Sequence, residues 1–387
     1  MRGAAPESTA RPEGELVWIH LGRHARARGL VQLGQRLAAQ RSGLALLFTS
    51  RDESRPDTLP GSALWRRVPG ENPAEAEPFI AHWRPDCGIW GGGALRPALL
   101  ACAARADMPL FLVDAEEVGL ARRPGRFLPR VVPAALALFT ACFARTGAAG
   151  RRLERLGVPE SDITVTGPLQ EAGAAPPFDG DELERFGQAL AGRPLWLAAH
   201  VQPAEVALVL RAHRAAARLS HRLLLVLSPA EDAIAPDVAA ATAAAAGLSV
   251  ARQKAGPPED RTQVLVTEGS RDLGLWYRLA PVTFMGSSID TDHGGQDPFA
   301  PAALGSAVIH GPNVRRHLDA YARLDAAAAA RRVSDAESLA AALSQLLAPD
   351  RAAAMAEAAW SVASEGAEAT DRLVDLLLDT LDLGGVR

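Results

Sequence analysis

The sequence predicts two α/β domains, each built on an open parallel sheet with helices on both faces. Short apolar strands alternate with amphipathic helical stretches along most of the chain, the pattern typical of such sheets. A Pro/Gly/Ala-rich segment without periodicity, Glu171–Gly180, interrupts the alternation. The 387 residues are enough for two domains of ordinary size. We therefore predict a first domain over residues 1–170, a linker over 171–180 and a second domain over 181–387 that ends in a helical tail.

The individual elements follow from short apolar runs and helical periodicity. In the first half, the predicted strands are Leu16–Leu21, Leu44–Thr49, Cys87–Trp90, Leu110–Val113, Ala141–Ala144 and Ile163–Val165, with helices at Ala25–Gln40 and Leu95–Arg105. In the second half, the predicted strands are Leu195–Ala198, Leu223–Leu227, Leu248–Ala251, Val264–Val266, Val282–Phe284 and Ala307–Ile309, before a helical tail at Ala336–Leu381. Two such sheets form a cleft that suits either an enzyme joining two substrates or a hinged binding protein.

Composition excludes several classes of protein. A net charge of −4 gives no indication of nucleic-acid binding. The three cysteines are far apart in apolar stretches, which favours buried thiols in a reducing compartment over disulfides or a zinc site. The polar start, Met1–Gly14, does not resemble a signal peptide, and the longest apolar run, Val131–Ala144, is too short to span a bilayer. We expect a cytoplasmic protein whose membrane contact is at most peripheral.

The segment Leu273–Pro312 carries the most distinctive chemistry. Ser287 and Ser288 follow a predicted strand, so we expect exposed hydroxyls. Gly294 and Gly295 lack side chains and would let the backbone approach a bound group closely.

A helix is predicted to begin at Pro298, directly after this Gly-Gly turn. The N–H groups of Gly295–Asp297 would then form an anion site suited to a nucleotide phosphate. A plain strand–turn–helix connection, with glycines for tightness, explains the same pattern.

At this point the sequence resembles a known family, the 3-deoxy-D-manno-octulosonic acid (Kdo) transferases. LGLWYRLA, GSS, HGGQDPFAPAALG and GP are similar to the nucleotide-binding signature of that family, which usually reads HGGHNPLEPAALG in its central part. Further matches occur in the family's order at Trp18-Ile19-His20, Arg84-Pro85-Asp86, Val165-Thr166-Gly167 and Pro194–Ala199. The resemblance therefore extends over nearly the whole chain.

The resemblance implies a GT-B glycosyltransferase with two Rossmann-like, doubly wound domains and a cleft between them. It implies transfer of Kdo, or a related sugar, from a CMP-sugar bound by the second domain to a lipid A precursor on the first. No metal or cofactor besides the CMP-sugar donor is implied. The donor-binding residues that it suggests are Ser287, Ser288, His293, Gly294, Gly295, Gln296 and, where the family usually has a glutamate, Asp272.

The chain departs from the family where catalytic residues are expected. The family's glutamate base follows the WIH strand, but here Leu21-Gly22-Arg23-His24 follows it. His24 could replace the base, because a neutral imidazole accepts a proton near neutral pH. Alternatively, Arg23 and His24 only lie at a helix N-terminus. The family's ETELWP motif is replaced within Gly91–Pro97, leaving Arg96 as a candidate on the acceptor side.

Other replacements affect the second domain and the membrane-facing residues. The family's PRHP segment becomes Leu227–Ala230, and its LEP glutamate becomes Ala300. The basic stretch Arg122, Arg123, Arg126, Arg130 suits either lipid phosphates or solvent. Three functions remain open from the sequence: a transferase with a substituted base, a catalytically impaired relative acting as a nucleotide-binding or partner protein in envelope assembly, and a hinged small-molecule binding protein.

Overall fold

The computed structural model describes residues 9–22, 26–51, 55, 59, 63–92, 94–117, 120, 131–173, 175–231, 233–290 and 292–384. The chain divides into two compact units. The first comprises Met1–Glu171 together with Glu365–Arg387, and the second comprises Ala172–Ser364.

Each unit contains one sheet whose strands are all parallel. The strands of the first unit are β1 (Leu16–His20), β2 (Ala45–Ser50), β3 (Leu64–Arg67), β4 (Cys87–Gly91), β5 (Leu110–Ala115), β6 (Ala141–Ala144) and β7 (Ile163–Val165). Those of the second unit are β8 (Leu195–Val201), β9 (Leu224–Pro229), β10 (Val250–Arg252), β11 (Val264–Val266), β12 (Val282–Met285), β13 (Ala307–His310) and β14 (Ala330–Arg332).

The strand orders are doubly wound. In the described residues the seven-stranded sheets have the orders β3-β2-β1-β4-β5-β6-β7 and β10-β11-β9-β8-β12-β13-β14. The predicted fold class of two parallel-sheet α/β domains is confirmed. The edge strands β3 and β14 escaped prediction because their sequences, LWRR and ARR, lack an apolar run.

Helices cover the sheets. In the first half of the chain they are α1 (Ala27–Gln40), α2 (Pro73–Trp83), α3 (Pro97–Arg105), α4 (Val131–Leu136), α5 (Gly147–Arg155) and α6 (Gly180–Ala189). In the second half they are α7 (Pro203–Ala217), α8 (Pro236–Ala245), α9 (Leu273–Leu279), α10 (Phe299–Ala303), α11 (Leu318–Ala326), α12 (Ala336–Leu346), α13 (Pro349–Ser364) and α14 (Ala367–Gly384). Capping side chains and prolines determine where several of these helices begin. Asn72, for example, caps α2 by accepting the Glu75 N–H at 3.0 Å, and Pro73 follows it at the first helical position.

Apolar side chains bury both faces of each sheet, as expected for parallel strands with near-continuous hydrophobic sequences. In the first unit, Trp18 and Trp90 belong to the cluster on one face, and Ile19 and Phe48 belong to the cluster on the other. The three cysteines are free and buried, as the sequence predicted.

The C-terminal helix α14 groups with the first unit, which differs from the predicted extent of the second domain, 181–387. Its apolar stripe, Leu373, Val374, Leu377 and Leu381, is buried in the cluster that contains α1 residues such as Leu33. The amphipathic periodicity of α14 predicted a helix but not which sheet the helix covers.

From Ala172 onward, the segment predicted as a linker belongs to the second unit and packs against α9. The guanidinium of Arg278 lies 3.9 Å from the ring centroid of Phe178, and its Nη1 donates to the Pro176 carbonyl at 3.4 Å. A Cβ on Gly274 would overlap the carbonyl oxygen of Pro177, so only glycine allows this approach to α9. No helix among the described residues is long and apolar enough to cross a membrane.

Candidate functional site

The strand order of the second sheet reverses between β8 and β12, and open α/β sheets bind ligands where such a reversal occurs, at the carboxyl ends of the strands. The backbone here is unusual: His200 has a φ of 53° and Ser287 a φ of 57°. A Cβ on Gly286 would lie 2.6 Å from the His200 carbonyl oxygen and 2.8 Å from that of Ala199. Glycine at 286 therefore lets the two strand ends meet.

A buried carboxylate organises this turn. Glu205, only 1% exposed, accepts the backbone N–H groups of Ser287, Ser288 and Ile289 at 2.7, 3.0 and 2.9 Å. It also accepts the N–H of Gln202 at 3.0 Å. Four N–H donors compensate the cost of burying the charge. Sequence reasoning missed Glu205, although a carboxylate at the third position of a helix that begins with proline is a recognisable capping signal.

The expectation of exposed hydroxyls at Ser287 and Ser288 is wrong. Both residues are fully buried. Ser287 Oγ donates to the His200 carbonyl at 2.9 Å and accepts from Gln202 Nε2 at 2.9 Å. Ser288 Oγ donates to the Met285 carbonyl at 2.5 Å and accepts the Gly311 N–H at 2.7 Å. These hydroxyls stabilise the turn itself.

The backbone conformation and the neighbouring residues explain why glycine occupies both positions of the Gly-Gly turn. Gly294 and Gly295 have φ values of 75° and 79°, where side chains are disfavoured. A Cβ on Gly294 would lie 2.9 Å from Arg315 Cγ, and one on Gly295 would lie 3.1 Å from Val314 Cα. The space that we expected for a ligand at these two Cβ positions is therefore occupied by the chain around Val314 and Arg315.

We predicted that the N–H groups of Gly295–Asp297 form an anion site. This prediction is wrong for the Gly295 N–H. The Gly295 N–H donates to the Ser287 carbonyl at 2.8 Å. Helix α10 has only five residues, so its dipole is short. Gln296 accepts the Tyr321 hydroxyl at its carbonyl, at 3.0 Å, and His293 lies half-buried in the turn.

A cavity of about 610 Å³ lies at the carboxyl-terminal edge of the same sheet, between the loops that follow β9 and β11. Its polar lining includes Glu231, Ser270, Arg271 and the predicted donor residue Asp272. Ser270 Oγ donates to Glu231 Oε2 at 2.6 Å, and Asp272 Oδ2 accepts the Glu268 N–H at 3.0 Å. Burial raises the pKa of Asp272, against the opposing effect of that hydrogen bond.

In the first unit the order reverses between β1 and β4. A Cβ on Gly22 would overlap the Gly91 carbonyl oxygen, so the loops leaving these strands touch directly. Arg23 and His24, the predicted acceptor-side residue and base, lie outside the described residues, as do Arg122, Arg123, Arg126 and Arg130.

His20 ends β1 and is 1% exposed. Its Nδ1 lies 3.0 Å from Thr49 Oγ1, which accepts from Trp18 Nε1 at 2.8 Å. Its ring centroid lies 4.0 Å from that of Trp90. Burial, followed by the charges of Arg96 and Arg51, lowers the pKa of His20 to about 3. The ring is buried against Thr49 and Trp90, which makes His20 a core residue rather than a candidate for the proton acceptor.

A second buried carboxylate, also missed from the sequence, lies one residue before the end of β5. Asp114 has a φ of 57° and pairs with Arg145, whose Nε donates to Asp114 Oδ1 at 2.7 Å. Arg145 also pairs with Glu116. Asp114 Oδ2 accepts the Arg26 N–H at 2.9 Å. This bond fixes the chain immediately before α1.

Comparisons with known proteins agree with this architecture. Acinetobacter baumannii MurG superimposes with a TM-score of 0.50 at 14% identity, covering 94% of this chain and 99% of MurG. Together with the two doubly wound sheets, this likeness defines a GT-B fold.

The sequence comparisons define the family. Residues 2–172 match a family described as "3-Deoxy-D-manno-octulosonic-acid transferase (kdotransferase)". A 3-deoxy-D-manno-octulosonic acid transferase of Bordetella pertussis is 34% identical over 403 residues, covering 97% of this chain and 89% of that protein. A Haemophilus influenzae protein of the same name is 28% identical, covering 62% of this chain and 56% of that protein. The chain belongs to the Kdo transferase family.

Proposed function

We propose that this protein transfers Kdo, or a closely related sugar, from a CMP-sugar to a lipid A precursor. The observation that carries the proposal is the 34% identity with the Bordetella pertussis transferase across 97% of the chain. The GT-B fold adds support, because its two sheets each have a strand-order reversal of the kind that binds ligands.

The proposed donor site is in the second unit, at the cavity between the loops after β9 and β11. Its volume of about 610 Å³ falls within the range of small-molecule sites. Asp272, half-buried in its lining, would accept hydrogen bonds from donor hydroxyls. His293 and Gln296, which flank the Gly-Gly pair, remain proposed donor contacts. Ser287, Ser288, Gly294 and Gly295 would act by shaping the turn.

The reaction would be a substitution at the anomeric carbon of Kdo. The acceptor hydroxyl oxygen forms a bond to that carbon while the bond from the carbon to the CMP phosphate oxygen breaks. CMP leaves with the electron pair, and the acceptor proton passes to a base. His24 remains the proposed base, since the His20 side chain is buried. We also propose that the protein works at the cytoplasmic face of the inner membrane through peripheral contact with its lipid acceptor.

The test has a binding part and a transfer part. Titration calorimetry with CMP-Kdo should give micromolar affinity, about 8 kcal/mol. Asp272→Asn should weaken binding roughly tenfold, because it removes the carboxylate charge from hydrogen bonds to the donor. Glu259→Gln, an exposed change elsewhere in the second unit, is the matched control. Incubation with CMP-Kdo and a lipid A precursor should add one Kdo mass to the lipid in a mass spectrum. No nucleotide-sugar binding, or binding without transfer, would contradict the proposal.

A further inference from the structure

A cavity of about 610 Å³ lies between the C-terminal ends of α2 and α3 in the first unit. Its lining includes Pro85 and Met108, which precede β4 and β5 by two residues each. The cavity is therefore at the amino-terminal edge of the first sheet. Substrates of open α/β sheets bind at the opposite, carboxyl-terminal edge. This α2–α3 cavity is thus separate from the expected place of sugar transfer.

The inner part of the α2–α3 cavity is apolar. Ile80 of α2, Cys102 of α3 and Met108 before β5 all line it, although each is less than a tenth exposed. Met108 packs over β4, since a Cβ on Gly88 would lie 3.2 Å from Met108 Cε. The methyl group of Ala81, on the exposed side of α2, extends this apolar wall outward. A hydrocarbon group placed here would remove the wall from water.

The charged side chains of the lining are at its exposed, outer part. Arg105 lies 3.1 Å from Glu77, and the two side chains are 63% and 60% exposed. Arg105 Nη2 also donates to Cys102 Sγ at 3.0 Å, so this guanidinium already has two partners. Arg84, the C-cap residue of α2, is exposed and lines the same cavity. Within the part of the chain that the structure describes, no carboxylate pairs with the Arg84 guanidinium.

We propose that the α2–α3 cavity binds a free fatty acid of medium chain length. The chain would pack against Ile80, Cys102 and Met108, and the carboxylate would bind to Arg84. A guanidinium matches a carboxylate with two parallel hydrogen bonds, and each buried CH₂ group adds affinity through the hydrophobic effect. The volume of about 610 Å³ is within the range of small-molecule sites. This inference does not rest on the proposed transferase function, because it uses residues of the first unit at the opposite edge of the sheet.

The first experiment compares ligands by calorimetry on the full-length chain. Decanoate should bind about tenfold more tightly than 1-decanol, which has a chain of the same length but no charge. Octanoate should bind about tenfold more weakly than decanoate, because each of the two missing CH₂ groups contributes roughly fourfold. Decanoyl lysophosphatidylglycerol, which carries the same chain on a lipid head group, should bind more weakly than decanoate.

Two variants with matched controls locate the site. Arg84→Gln should raise the Kd of decanoate about tenfold and leave that of 1-decanol unchanged, whereas Arg151→Gln, at an exposed position on α5, should alter neither. Ala81→Phe should abolish binding of both ligands, because the added ring would fill the cavity. Ala134→Phe, the same change at an exposed position on α4, should have no effect. Circular dichroism checks that all four variants are folded.

Cys102 provides an independent readout inside the cavity. Saturating decanoate should slow its alkylation by iodoacetamide several-fold, measured by peptide mass spectrometry. The inference would be overturned by absence of decanoate binding, by wild-type affinity in a folded Ala81→Phe variant, or by an unchanged alkylation rate at Cys102. Equal affinities for decanoate and 1-decanol would overturn the role of Arg84. Tighter binding of the lysophospholipid would overturn the assignment to a free acid.

Discussion

The carboxylate of Glu205 accepts the backbone N–H of Ser287 at 2.7 Å, which ties helix α7 to the turn after β12. The same carboxylate accepts two further N–H groups of that turn, from Ser288 and Ile289. One buried side chain thus shapes the turn after β12, at the carboxyl-terminal edge of the second sheet.

Glu205→Gln should destabilise the second unit by about 2–4 kcal/mol. In the wild type, both carboxylate oxygens accept backbone N–H groups. The glutamine amide would replace one oxygen with an NH₂ group, which cannot accept, and would also remove the negative charge. Urea unfolding followed by circular dichroism measures the effect. Glu259→Gln, an exposed residue that pairs with Arg261, should change stability by less than about 1 kcal/mol. Similar losses in the two variants would contradict the role of the buried carboxylate.

Gly286→Ala should cost about 1–3 kcal/mol, because the new methyl would press on the backbone carbonyls of His200 and Ala199. Backbone atoms at a strand end have little room to shift. The control is Gly180→Ala at the start of α6, where an added Cβ meets no atom within 4 Å. That variant should be neutral or slightly stabilising, since alanine favours helices. The prediction is wrong if Gly286→Ala and the wild type have the same midpoint of urea unfolding.

The free energy of unfolding should fall at acidic pH because the protein contains buried histidines. Burial lowers the pKa of His213 to about 4 from an ordinary value of 6.5. The unfolded chain therefore binds a proton at higher pH than the folded chain, so stability falls as the pH drops from about 6.5 towards 4. The slope from one such histidine is about 1.4 kcal/mol per pH unit.

His213→Gln tests this slope, because a glutamine oxygen can still accept the Trp196 Nε1–H that Nδ1 accepts at 3.2 Å. Unfolding free energies at pH 7, 6 and 5 should fall less steeply in this variant than in the wild type. His221→Gln, at an exposed position, is the comparison. Parallel pH profiles for wild type and His213→Gln would exclude the assigned contribution.

The sequence was sufficient for the fold because apolar runs such as LFLV of β5 predict buried parallel strands by themselves. It was less informative for the site. The sequence drew attention to Gly294 and Gly295, but glycine spacing does not tell whether a ligand or the protein's own chain occupies the adjacent space. At Gly294 the occupant is Arg315. The buried Asp114 escaped prediction because its partner, Arg145, is distant in the sequence.

Asp114→Asn should destabilise the first unit by about 2–4 kcal/mol. Asparagine tolerates the left-handed backbone at this position, where φ is 57°, so the change removes the charge rather than the conformation. Arg145 would keep Glu116 as a partner but lose its buried one, and a buried guanidinium left undercompensated is costly.

The matched control is Asp107→Asn, since Asp107 has a φ of 52° but is exposed. Urea unfolding should separate the two variants by at least about 1.5 kcal/mol. Amide hydrogen exchange gives a second, local readout, because Asp114 Oδ2 accepts the Arg26 N–H at 2.9 Å. Exchange at Arg26 should accelerate in Asp114→Asn and remain unchanged in Asp107→Asn. If exchange at Arg26 is unaffected in both, Asp114 does not anchor the chain before α1.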